Sequence, residues 1–222
     1  MGGILETIAQ FFSVILVYIY QIVPNLGVSI VALTLLVKLV TFPLNNQQIK
    51  SAKRMQVLQP ELKKIQQKYK NDKEKQNQEV MKFMQENKMN PLAGCLPLLV
   101  QMPILIGIFT LLRNISEYEI SNVEGFSQFL FPGPEWLNLL QQDGTYILPV
   151  LAGLTTFLYS RLSITDPNQK VMLYMMPGLI FVFSISFPAG LVIYWIVNNL
   201  FSMAQHYFLN SLEKKGAEVK TK

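Results

Sequence analysis

The sequence predicts an all-α integral membrane protein: five transmembrane helices, a cytoplasmic two-helix hairpin and an N-terminal interfacial helix. Three observations carry that expectation. Half of the 222 residues are hydrophobic and only 15% are charged, whereas soluble domains carry about 25% charged residues. Five stretches approach the ~20 mostly apolar residues that a bilayer-crossing helix needs. The basic residues also gather in alternate connections, the pattern of loops held on the cytoplasmic side.

The elements follow in order. Ile4–Val23 is apolar but holds Glu6, Gln10 and Gln21 and ends at "VPNLG", so residues 1–25 read as a helix lying in the interface. The opening "MGGILETIAQ" has no basic n-region and does not read as a secretory signal. The five expected spans are residues 26–46, 91–112, 146–163, 171–187 and 189–209.

Charge orients them. The 47–90 connection contains Lys50, Lys53, Arg54, Lys63, Lys64, Lys68, Lys70, Lys73, Lys75, Lys82 and Lys88, eleven of the 19 basic residues, and is therefore expected inside. Residues 114–145 hold Glu117, Glu119, Glu124, Glu135 and Asp143 and no lysine or arginine, so the 113–145 loop is expected outside. Arg161 and Lys170 flank an inside connection, and Lys214, Lys215, Lys220 and Lys222 place the 210–222 basic tail inside. The N-terminus is then outside and the C-terminus cytoplasmic, in a multi-pass protein of the membrane.

Within the basic connection, Met55, Leu58, Leu62, Ile65 and Tyr69 recur at steps of three and four, a coiled-coil seam. "KNDKEK" interrupts it, and Asn71 with Glu74 can cap a second helix that presents Val80 and Phe83. Pro60 fits the first turn of its helix and marks a bend from the preceding segment. The hairpin is either a solvated spacer or a docking arm whose adaptable apolar surface is Met55, Leu58, Met81 and Met84.

Lys38, in "LTLLVKLVTFPL", stands near the middle of the first span. A lysine there costs roughly 2.5–3.5 kcal/mol on insertion scales. Snorkelling is one explanation, because Leu44 lies only about 9 Å further along the helix. An internal ion pair is another, but none of the five spans contains an internal Asp or Glu. The remaining reading is a wet, positively charged cavity, with Thr34 on the same face extending the polar strip. Gln101 sits near mid-depth in a span where Pro91, Pro97 and Pro103 each free a backbone carbonyl. In the last span Asn198, Ser202 and Gln205 share a helical face with Trp195, next to Tyr194. Such a stripe is a poor match for lipid, although Tyr194 and Trp195 alone also fit interface anchors.

"PLAGCLPLLVQMPILIGIF", the charged hairpin before it, and "FPAGLVIYWIVNNLFSMAQ" resemble the YidC family of membrane protein insertases, in matching order from about residue 4 to 210. The resemblance implies five core helices around a hydrophilic groove, open to the cytoplasm and lipid but closed to the outside. It implies that Lys38 is the groove's basic residue, where the family more commonly has arginine. It also implies that Thr34, Gln101, Tyr194 and Trp195 line the groove or meet the passing client, and that the hairpin is the loop required for insertion. The large periplasmic domain of Gram-negative relatives is absent, pointing to a Gram-positive form or an isolated core.

The implied activity is physical rather than enzymatic. Client membrane proteins with short translocated segments enter the bilayer of a bacterial plasma (inner) membrane, with the Sec translocon and the ribosome as candidate partners. The short tail "EKKGAEVKTK" argues against strong ribosome binding through the tail. No Walker motif implies ATP, Cys95 and His206 offer no metal cluster, and no cofactor or direct DNA binding is expected. Two other classes share these features: a small anion transporter, which should show repeats, and a non-translocating assembly scaffold.

Overall fold

The computed structural model describes residues 2–87, 96–123, 138–163 and 170–220, and these are helical throughout, apart from turns and one isolated backbone bridge between Gln142 and Pro188. The helices are α1 (Gly2–Ile22), α2 (Leu26–Lys68), α3 (Lys73–Glu86), α4 (Leu96–Arg113), α5 (Ile147–Ser163), α6 (Lys170–Ser186) and α7 (Ala189–Lys220). Two 3-10 turns, Ile115–Glu117 and Glu119–Asn122, follow α4.

One apolar core joins four of them. Ala9, Phe12, Leu16 and Tyr20 of α1 recur on one helical face and are buried with Leu26, Ile30 and Leu33 of α2. Ile108, Leu111 and Leu112 of α4 and Leu191 and Tyr194 of α7 complete it. Gly107 lets α1 and α4 approach, because a Cβ there would lie 2.5 Å from the Ile8 side chain and 3.2 Å from the Phe12 ring. The opposite side of α1 separates into an exposed polar strip (Glu6, Gln10, Gln21) and an exposed apolar strip (Phe11, Val14, Tyr18, Ile22). The α5–α6 pair packs closely at Gly153, whose Cβ would meet Phe181 and the Pro177 carbonyl at 3.3 Å. Helix α5 also packs on α7, and α7 on α2.

Helices α2 and α7 begin differently. Asn25 caps α2 by accepting from the Val28 amide at 3.0 Å. The first amides of α7 instead donate to backbone: Ala189 to Gln141 (2.7 Å) and Gly190 to Leu139 (2.8 Å). Residues 139–141 thereby satisfy donors that a helix start leaves open.

Several local expectations differ from the structure. The first span and first hairpin arm are one continuous helix of 43 residues, with Pro43 and Pro60 both inside it. Pro60 therefore does not open a new helix. Each proline removes a single ladder bond, and the flanking turns carry the helix across. Helix α3 is capped by Asp72, which accepts from the Lys75 amide at 3.0 Å, not by Asn71. The basic tail is not separate from the last span, since α7 runs on to Lys220.

Among the described residues, one helix, α2, is long and apolar enough to cross a membrane by length and composition. The apolar stretches Glu6–Ile22, Gln101–Arg113, Ile147–Ser163 and Val171–Ser186 are shorter. The expected second span begins at Pro91, which lies outside the described residues, as do residues 124–137 of the expected acidic loop.

Candidate functional site

The polar side chains of α7 make the site. At 3.6 residues per turn, Tyr194, Gln205, Asn198, Ser202, Trp195 and Asn199 fall in that order across an arc of roughly 140°. Three neighbouring helices meet different parts of it. At one edge the Tyr194 hydroxyl accepts from Gln101 Nε2 of α4 at 2.5 Å. At the other, Trp195 Nε1 donates to the Thr156 hydroxyl of α5 at 2.9 Å, and the Asn199 amide is hydrogen bonded to the same hydroxyl at 3.0 Å.

The middle of the arc faces α2. Lys38 Nζ donates to Ser202 Oγ at 2.8 Å, and Ser202 in turn donates to the Asn198 carbonyl at 2.8 Å. Just under one turn further along α7, Gln205 Nε2 donates to Asn46 Oδ1 at 2.6 Å and to the Phe42 carbonyl at 3.3 Å. Lys38 is 6% exposed and Ser202 7%, so the ammonium is held inside the seam rather than at its rim. Among the described residues no carboxylate is paired with it. The residual donor capacity of an –NH3+ group, three N–H bonds in all, is thus far from used by one hydroxyl.

Two further buried atoms lack partners among the described residues, Gln205 Oε1 and Gln48 Nε2, both toward the hairpin end of this seam. Thr34 is fully buried but turns its hydroxyl back to the Ile30 carbonyl of its own helix at 2.6 Å. The two cavities described lie elsewhere. One, about 470 Å³, is lined by Lys50, Lys53, Arg54, Val57, Leu58 and Asn87 at the base of the hairpin. The other, about 730 Å³, lies between the end of α4 and the start of α7.

The sequence-predicted residues therefore sort into groups. Lys38 meets Ser202 in the α2–α7 seam, with Ser202 bonded in turn to the Asn198 backbone carbonyl of its own helix, while Gln101 pairs with Tyr194 and Trp195 with Thr156. In the hairpin Met55, Leu58 and Met84 are half-buried and Met81 is 48% exposed. Thr155, Thr156 and Asn46 are residues that the sequence does not single out, whereas Gln205 belongs to the polar stripe that it shows. Threonines in an apolar helix ordinarily bond their own backbone, as Thr156 also does to Ala152, which hides any second role.

The 60Kd inner membrane protein family matches residues 18–216. The chain belongs to this family. It is 41% identical over 219 residues to a protein of Fusobacterium nucleatum named membrane protein insertase YidC, covering 98% of this chain and all of that one. It is 37% identical to the Haemophilus influenzae protein of the same name, over 94% of this chain but only 38% of the relative. Among solved structures, a crystal structure titled as an active YidC insertase with its first transmembrane domain resolved superposes with a TM-score of 0.72 at 25% identity. It covers 91% of this chain and 46% of that one. The helix order described above is thus the fold of the family, and the Lys38 seam lies within the matched residues.

Proposed function

We propose that this chain inserts client membrane proteins into a bacterial plasma (inner) membrane, using the α2–α7 seam as the place where a short hydrophilic segment is received. The observation that carries the reading is Lys38: a buried ammonium whose described partner is a hydroxyl, with no carboxylate beside it. Family membership supplies the class of activity.

The physics is a shortened dry path. Carrying a polar segment through ~30 Å of hydrocarbon is opposed by desolvation of each polar group. A seam with Lys38, Ser202, Asn198 and Gln205 offers replacement hydrogen bonds part-way across. A client carboxylate that displaces the Ser202 hydroxyl exchanges a neutral acceptor for an ionic one, the stronger of the two. The unpartnered Gln205 Oε1 and Gln48 Nε2 suit a passing backbone N–H and C=O in the same way. Release into lipid is driven by the client's own apolar span. The outward apolar rows Leu36, Leu39 and Val40 of α2 and Val182 and Phe183 of α6 suit lipid contact, since so much contiguous apolar surface is foreign to a soluble monomer.

The full reading keeps five spans, α1 in the interface, residues 45–90 and the tail in the cytoplasm, and 113–145 outside. The three strips of α1 suit that position: one for the protein, one for water, one for lipid. The basic cavity at Lys50, Lys53 and Arg54 is where the Sec translocon or ribosome would dock. Closure of the seam favours a second reading, a non-translocating assembly scaffold. Reactivity of Lys38→Cys, in a chain with Cys95 replaced, toward an aqueous thiol reagent supports the groove, and protection supports the scaffold.

The activity test uses proteoliposomes and paired clients that differ in one translocated aspartate. Lys38→Arg keeps the charge and preserves insertion of both. Lys38→Ala impairs the acidic client and spares its neutral twin. Lys38→Glu impairs the acidic client most. Equal yields for the pair with wild type and Lys38→Glu would end the charge-recruitment idea.

A further inference from the structure

The cavity of about 730 Å³ between the end of α4 and the start of α7 is not used by the seam. Its volume is that of an ordinary small-molecule site. Phe109, Leu140 and Ile185 give it apolar walls, while Arg113, Gln142 and Ser186 add polar ones.

Arg113 is the unexpected member. It is the only lysine or arginine between Lys88 and Arg161, and on the proposed orientation it is a basic residue on the outer side, against the usual distribution. Its guanidinium lies over the Phe109 ring, 5.8 Å from the centroid, which fixes the planar group at the cavity wall. Among the described residues no carboxylate is paired with it. Asp143 lines the same cavity but is engaged elsewhere: Oδ1 accepts from the Thr145 amide and hydroxyl, and Oδ2 from the Leu148 amide at 2.8 Å.

We infer that this cavity binds the phosphate diester of an outer-leaflet glycerophospholipid, with Arg113 donating to the phosphate and Phe109, Leu140 and Ile185 receiving the glycerol and first acyl carbons. Three features select that ligand. Arginine presents a fork of donors that matches phosphate oxygens. The cavity lies where α4, α6 and α7 all end or begin, the level at which a bilayer places its headgroups. The nearby Asp143 charge disfavours a doubly charged inorganic phosphate and tolerates a diester that carries one negative charge. The leaflet rests on the orientation proposed above; the binding chemistry does not.

The test is native mass spectrometry of the full chain in detergent, with phosphatidylglycerol, phosphatidylethanolamine or diacylglycerol of identical acyl chains. Wild type retains both phospholipids and not diacylglycerol. Arg113→Gln lowers the retained fraction roughly tenfold, as expected for loss of one charge-assisted contact, and Arg113→Lys restores part of it. Ile185→Trp fills the cavity with the charge intact and also lowers retention. Circular dichroism of each variant separates lost binding from lost folding. Equal retention of diacylglycerol would mean apolar packing alone, and displacement of lipid by millimolar inorganic phosphate would mean a free-anion site. Either result, or unchanged retention in Arg113→Gln, overturns the proposal. Detergent binding is independent of sidedness and of Lys38, so failure here leaves client insertion untouched, and failure of insertion leaves this binding intact.

Discussion

The two halves of α2 share one unbroken helix and differ in almost everything else. From Leu26 to Lys38 it buries Leu26, Gly27, Ser29, Ile30, Leu33, Thr34 and Lys38, a stripe at helical spacing set into α1, α4 and α7. From Leu39 to Lys68 it buries only Leu62, and its companion α3 buries no residue at all. The first half is held by packing and cannot move without the bundle. The second is held by a narrow seam and by isolated bonds such as Gln76 Nε2 to the Gln66 carbonyl. Regular secondary structure is therefore a poor guide to rigidity: a helix with few buried contacts opens locally at little free-energy cost.

The sharpest way to break this comparison is to remove the second half. Replacing residues 56–86 by a short linker is expected to leave the bundle folded, with its thermal midpoint in detergent shifted by no more than about 2 °C, while insertion of a model client falls severely. Wild-type insertion by that variant would reduce the hairpin to a spacer.

A change on α7 that presses against the packed half has the opposite signature. A Cβ on Gly190 would lie 2.9 Å from Ile30 Cδ1, 3.1 Å from the Leu139 carbonyl and 3.2 Å from Leu112 Cδ1. Gly190→Leu is expected to cost about 1–3 kcal/mol by overpacking and to lower the midpoint by several degrees. Val57→Ala, at a side chain 76% exposed on the other half, should stay within about 0.5 kcal/mol. Equal losses in the two variants would contradict the division.

The smallest test compares two helix caps of the same residue type. Asp143 is 2% exposed and caps the start of α5, while Asp72 is exposed and caps α3. Burial alone would raise the Asp143 carboxyl, but hydrogen bonds from Thr145, Leu148 and Ile147 outweigh it and hold the group below its usual 3.8. A carboxyl depressed in the folded state stabilises above its unfolded value, and that contribution fades as pH falls through the folded value. Asp143→Asn replaces one of two hydrogen-bonded acceptor oxygens by an amide donor and is expected to cost about 1 kcal/mol at neutral pH, and the gap to wild type should narrow below pH 3.8. Asp72→Asn should leave the midpoint of the bundle unchanged at every pH.

The sequence by itself determined the helical class and the presence of a charge that an apolar run would reject. Those follow from composition and from periodicities that each segment carries alone: the apolar run around Lys38 and the three-and-four spacing from Met55 to Tyr69. It also placed Asn198, Ser202 and Gln205 on one face of α7, since that needs only the helical repeat. Which helix each polar residue meets was decided only by tertiary structure. Trp195 turns to Thr156 of α5 and Ser202 to Lys38 of α2, though they lie within about 20° of each other around the same helix. No local signal distinguishes the two, because partner choice depends on how neighbouring helices wedge against the arc. The continuity of α2 through Pro43 and Pro60 is of the same kind. A proline removes one bond from the ladder, and whether the chain bends there or runs on is settled by what packs around it.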